Sequence, residues 1–323
     1  MEKEYLFEST DQYFLRKVRN ILERILKKPQ ILKEETQKVE ELVGCVSREL
    51  SYYCYGILEE LKVIFYEETS WKNKKRLIIR NIDICSILLE PPSEKVFEKL
   101  VKREYQGLWI DNRFSDEFFK RMILKLIGRQ NYYETCLFGA TEQEKREYYQ
   151  KLQDRNDILW IAVCRMINAN EEILLKVIRN AKIGWNRFYQ FCVEIASAEN
   201  TTEEVLIALI EKIQKQSFDM FSRTGTRALK TRCVFLIFQL NSRTISTAKV
   251  AKVAIELITP AESYYYEFYH MLIWRYRNEE EILELIQETV EHKRLLPKRN
   301  LVPEIKRLQL LINNLLPLRV KSS

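Results

Sequence analysis

Apolar residues recur at i, i+3 and i+4 along almost the whole chain, and neither Asn-Gly nor Asp-Gly occurs anywhere in it. That spacing lays one stripe along a helix, and the missing dipeptides are the usual two-residue hairpin turns. The chain is therefore expected to be all-α. Helices are expected near 11–28, 33–66 (as one helix or two), 70–90, 93–105, 115–129, 142–152, 155–168, 171–182, 185–198, 203–216, 225–241, 247–258, 262–277, 279–293 and 301–316. Pro91-Pro92, Gly107, Ser115, Gly139, Gly184, Gly225, Pro260 and Pro297 punctuate them. Short connections between them favour antiparallel neighbours.

A string recurs in the second half. A capping residue precedes two polar residues, then apolar residues at offsets 0, 1, 4 and 5. Asn170 leads to Ile173, Leu174, Val177 and Ile178, and Thr202 to Val205, Leu206, Leu209 and Ile210. Thr247 leads to Val250, Ala251, Ala254 and Ile255. Asn278 leads, one residue out of frame, to Ile282, Leu283 and Ile286, with Gln287 in the fourth slot. The spacings are 32, 45 and 32 residues. Ser93 and Ser115 open two earlier copies, over Val96–Val101 and Phe118–Ile123. Each second-half copy follows a more aromatic helix, marked by Trp160 and Cys164, Trp185 and Cys192, Phe235 and Phe238, or Tyr265 and Trp274. A helix pair of this kind buries its stripe only by stacking on another pair.

Length and pairing resemble HEAT-like α-solenoids over roughly residues 155–293. The resemblance implies antiparallel helix pairs stacked in a right-handed α-solenoid; an irregular helical array is the alternative. A helical N-terminal half, 1–140, is expected to be continuous with a repeat array over 141–323. HEAT-like proteins include DNA glycosylases that grip alkylated duplexes on a concave basic face with Trp and Asp. Trp109-Ile-Asp111 is a close Trp/Asp pair, two residues apart and hence on different faces if helical, so no catalytic residue is carried over.

The chemistry visible in the chain is sparse. Seven isolated glycines form neither GxxxxGK nor GxGxxG, so no nucleotide cofactor is expected. Arg223-Thr-Gly-Thr-Arg227 reads as a polar loop opening a helix, where an anion could sit, and more simply as a solvated turn. His270 and His292, the only two histidines, cannot make HExxH. His270 sits among tyrosines and reads as packing, while His292 suits a helix end. The seven cysteines include no CxxC pair and mostly sit in apolar runs, so they read as reduced, buried thiols. Glu279-Glu280-Glu281 complements a helix N-terminus. No catalytic, cofactor or metal residue is expected.

Charge is the better signal. The formal net charge is +7, concentrated in residues 61–130 (15 basic against 10 acidic) and 201–260 (9 against 5). Lys72, Arg76 and Arg80 are four apart on one helix face, and Arg223, Arg227 and Lys230 nearly repeat that geometry. These six are the candidate nucleic-acid contacts. Tyrosine clusters at 52–53, 132–133, 148–149 and 264–266 suit either helix packing or an interface. No run approaches 18 apolar residues, and the charged N-terminus has no apolar leader region, so a cytoplasmic protein with no membrane contact is expected. The reading is a non-enzymatic scaffold for a protein partner, with nucleic-acid binding as the alternative.

Overall fold

The computed structural model describes residues 9–46, 50, 52–91, 93–102, 114–136, 140–166, 169–216, 223–291 and 302–315. Among the described residues there are fifteen α-helices and no strand. One compact unit comprises Met1–Lys125 with Arg165–Asn168. It holds α1 (Thr10–Lys27), α2 (Leu32–Val46), α3 (Tyr52–Tyr66), α4 (Trp71–Leu88), α5 (Glu94–Lys102) and the first half of α6 (Asp116–Cys136). The other comprises Leu126–Cys164 with Ala169–Ser323. It holds the rest of α6, then α7 (Glu142–Cys164), α8 (Glu171–Asn180), α9 (Trp185–Ala196), α10 (Glu203–Lys215) and α11 (Arg223–Leu240). After these come α12 (Ala248–Leu257), α13 (Tyr265–Arg275), α14 (Glu280–Glu291) and α15 (Val302–Leu315). No helix among the described residues is long and apolar enough to cross a membrane.

In the first unit α1 packs along α4 and α2. The Ser9 hydroxyl accepts the Gln12 amide and starts α1, whose Phe14, Leu15, Val18, Ile21, Leu22 and Ile25 form one buried stripe. Glu35 of α2 is buried beside it, held by Arg24 at 2.8 Å and Lys38 at 3.0 Å, which offsets the cost of taking a carboxylate out of water. Between α3 and α4, Glu60 accepts from buried Asn81 at 2.7 Å and pairs with Arg80 at 3.2 Å. Phe97, Phe114, Phe118 and Phe119 pack mostly edge to face, with centroids 4.4–5.6 Å apart.

The second unit is built differently, since helices two apart in the chain are neighbours. On one side α7 meets α9 and α9 meets α11, and α13 meets α15. On the other α8, α10, α12 and α14 contact in succession. The stripes at the recurring offsets are the core: Ile173, Leu174, Val177 and Ile178, then Val205, Leu206, Leu209 and Ile210, then Val250, Ala251, Ala254 and Ile255, then Ile282, Leu283 and Ile286 are all buried. The earlier copies behave alike. The Ser93 and Ser115 hydroxyls accept the amides of Val96 and Phe118, each at 3.3 Å, and the apolar residues after them are buried.

Hydrogen bonds join the turns in the same order. Asn200 donates to the Ala169 carbonyl at 3.2 Å, Asn241 to Ala196 at 3.0 Å, and Arg275 to Asn241, each reaching back to the preceding turn. Arg275 also holds the Ser246 hydroxyl and the Phe238 carbonyl, and Tyr276 donates to the Ser246 carbonyl. At the opposite helix ends, buried Asp157 accepts the Gly184 amide at 2.9 Å, and Thr231 accepts that of Ala261 at 3.0 Å.

Four expectations are refined. Residues 33–66 form two helices, α2 and α3. The expected gap between 152 and 155 is helical, because no Gly or Pro interrupts it and the polar Asn156 and Asp157 are buried on the packed face of α7. The fourth cap is Glu279, not Asn278: its carbonyl accepts the amides of Ile282 and Leu283, which restores the frame of the other copies. Thr247 precedes α12 but makes no side-chain cap; its hydroxyl donates to the Glu203 carboxylate of α10.

Candidate binding groove

The amphipathic helix α10 carries two stripes. Val205, Leu206, Leu209, Ile210 and Ile213 point to the core. Glu204, Ile207, Ala208, Glu211, Lys212 and Lys215, at the same helical spacing, turn away from it. With Leu175, Ile178 and Arg179 of α8 and Lys249 of α12, this second stripe lines an open groove of about 610 Å³. That volume is within the usual range of small-ligand and peptide sites.

The floor is aliphatic and the walls are charged, with four cations against Glu204 and Glu211. Some of these charges already have partners. Lys249 holds Glu203 at 2.8 Å, and that carboxylate keeps its ammonium more strongly protonated than usual. Lys215 stands 3.9 Å from Glu211. Among the described residues Arg179 and Lys212 have no carboxylate partner. Lys212 is half-buried, and loss of water pushes its pKa down to about 8, against a small opposing effect of the nearby Cys192 thiol. The groove thus offers two uncommitted cations above a greasy strip, which suits an anionic ligand with an apolar side.

The six expected nucleic-acid contacts fall into two sets. Lys72, Arg76 and Arg80 line α4 in the first unit. Lys72 and Arg76 are exposed and have no acidic partner among the described residues, while Arg80 is engaged with Glu60. Arg223, Arg227 and Lys230 lie on α11 in the second unit. Residues 223–227 are the first turn of that helix rather than a loop. Arg227 is exposed, and the Lys230 ammonium donates to the Gln214 carbonyl at the end of α10. The side chain of Arg223, and Trp109, Asp111 and His292, lie outside the described residues.

His270 is half-buried on α13. Its ring stacks on Tyr266 with centroids 5.2 Å apart, and its Nε2 accepts from Trp274 Nε1 at 2.9 Å. Such an imidazole is engaged in packing and does not border the groove. Exposed aromatics are scattered, with Tyr13, Tyr55, Tyr66 and Trp71 in the first unit and Tyr132, Trp185 and Trp274 in the second. Of the tyrosine clusters, Tyr265 is buried in the packing and Tyr132 is exposed. Cys54, Cys85, Cys164, Cys192 and Cys233 are buried free thiols, and burial pushes Cys85 up to about 12. Among the described residues no three of His, Cys, Asp and Glu cluster closely enough to hold a metal ion.

Sequence reasoning did not find the groove residues. Their signal was the apolar pair Ile207-Ala208 on the face of α10 opposite its core stripe, flanked by Glu204, Glu211 and Lys212 at helical spacing. Comparison of the chain with protein-family models, with curated proteins and with solved structures finds no match to any of them.

Proposed function

We propose that the chain is a non-enzymatic helical-repeat protein, HEAT-like over its second unit, whose groove between α8, α10 and α12 holds an acidic, partly apolar segment of a partner protein. The observation that carries this reading is the pairing of Arg179 and Lys212 with the strip of Leu175, Ile178, Ile207 and Ala208. Charge selects such a segment and the strip contributes burial. The repeat reading draws support from the recurring apolar offsets, the neighbours two helices apart, and the row of turn-to-turn bonds. Buried free thiols favour a cytoplasmic setting.

The test is fluorescence anisotropy with a labelled peptide of Glu and Leu at helical spacing, against a Lys and Leu counterpart. The acidic peptide should bind, and Arg179→Glu should weaken it about tenfold through like-charge repulsion in the groove. No binding at low salt, or equal binding by the Arg179→Glu variant, rejects the reading.

A second reading rests on α4. Lys72, Lys75 and Arg76 share one face of α4 with exposed Trp71, a cationic face of the kind that contacts a phosphate backbone. Duplex and single-stranded DNA or RNA should then bind with an affinity that falls steeply with salt and is lost in Lys72→Glu/Arg76→Glu. Salt-independent binding, or none, removes this alternative.

A further inference from the structure

We infer that Lys212 is an acylation site, its amine taking an acyl group from a thioester that enters the groove between α8, α10 and α12. The geometry singles it out among the groove cations. Arg179 is a guanidinium and not an acyl acceptor. Lys249 is held charged by Glu203 at 2.8 Å. Lys215 is exposed beside Glu211. Lys212 is half-buried, borders the groove with its aliphatic floor of Leu175, Ile178, Ile207 and Ala208, and has no carboxylate partner among the described residues.

The other groups around it are accounted for. From α9 the Cys192 thiol lies close by, and from α11 Lys230 is bound to the Gln214 carbonyl. Lys230 is a cation, and the opposing effect of Cys192 does not outweigh the loss of water. The aliphatic floor is also a surface on which an acyl methyl or short chain can rest once the charge is gone.

In the reaction the neutral nitrogen's lone pair attacks the thioester carbonyl carbon. A C–N bond forms, the C–S bond breaks, and the departing thiolate takes up the proton that the nitrogen sheds. An amine titrating near 8 is about a quarter neutral at pH 7.5, against roughly a thousandth for an ordinary lysine. Its lower basicity returns part of that advantage.

Acetyl-coenzyme A is the probe, incubated with the full chain from pH 6.5 to 9.5, with initial rates read site by site by peptide mass spectrometry. Lys212 should acetylate about tenfold faster than Lys215 or Lys249 at pH 7.5, and its rate should level off above pH 8 while theirs keep rising. Ile207→Glu, which places a carboxylate on a half-buried groove position, should slow Lys212 severalfold and leave Lys249 unchanged. Lys212 labelling no faster than its neighbours, or indifferent to Ile207→Glu, overturns the inference. The site lies in the groove of the proposed function, but labelling needs no partner, so failure of either reading leaves the other testable.

Discussion

The side-chain amide of Asn241 donates to the Ala196 carbonyl at 3.0 Å, joining the turn that follows α11 to the end of α9. The same nitrogen reaches the Ile237 carbonyl at 3.0 Å, so one buried amide closes its own helix and anchors the previous pair. Removing it strands the Ala196 carbonyl away from water, while the Ile237 carbonyl keeps the Asn241 backbone amide. Asn241→Ala is expected to cost about 1–3 kcal/mol in urea unfolding. Hydrogen exchange should speed up in α11 and α12 before it does in α7 and α8. A loss below the error of the measurement would show that this bond holds nothing.

Asp157 links pH to stability. Burial lifts its carboxyl to about 7 in the fold, above its value of about 3.9 in an unfolded chain. Between those values the folded state binds more protons, so through this group stability falls as pH rises from 4 to 7 and is flat above. Asp157→Asn keeps an acceptor for the Gly184 amide and removes the charge. Its melting temperature should exceed the parent's at pH 7.5, and the gap should close by pH 4.5. Parallel curves for the two proteins would contradict the assignment.

The two stripes of α10 should separate in a mutational series. Leu206→Ala, at a fully buried position, is expected to cost about 2–5 kcal/mol. Ile207→Ala, half-buried on the other stripe, should cost under about 1 kcal/mol. The same substitution should weaken the acidic peptide several-fold. Denaturant midpoints and anisotropy on one set of variants decide this, and equal destabilisation by both would make the second stripe part of the core.

Thr247 provides a further check. Its hydroxyl serves Glu203 of α10 instead of capping its own helix, and Lys249 shares that carboxylate. Thr247→Val should therefore loosen α12 from α10, and Thr247→Asp should repel Glu203 and destabilise more, although Asp is the better cap in an isolated helix. A stabilised Thr247→Asp would mean that the hydroxyl acts as an ordinary cap.

The buried stripes were legible because their burial follows from offsets within one helix: Val205, Leu206, Leu209 and Ile210 fall on one face whatever lies opposite. Caps at Asn170 and Thr202 were legible for the same local reason, and their side chains accept the amides of Ile173 and Val205. The groove was not. It needs Arg179, Lys212 and Lys249 from three helices, and on its own the second stripe of α10 resembles an ordinary solvated face. Arg80 and Lys230 were read as surface cations because their partners, Glu60 and the Gln214 carbonyl, lie on other helices. The partner of Asp157, the Gly184 amide, lies 27 residues later and was equally out of reach of a local reading.

The turn bonds of the second unit join Asn200 to Ala169, Asn241 to Ala196 and Arg275 to Asn241, each one turn back along the chain. The groove touches three successive helices of the row, α8, α10 and α12. A ligand lying in it would touch α8 and α12 together, on either side of α10, and would act as a splint. Occupancy would then stiffen that stretch well beyond the residues it contacts, and a free protein would present its groove over a spread of widths that the right partner narrows.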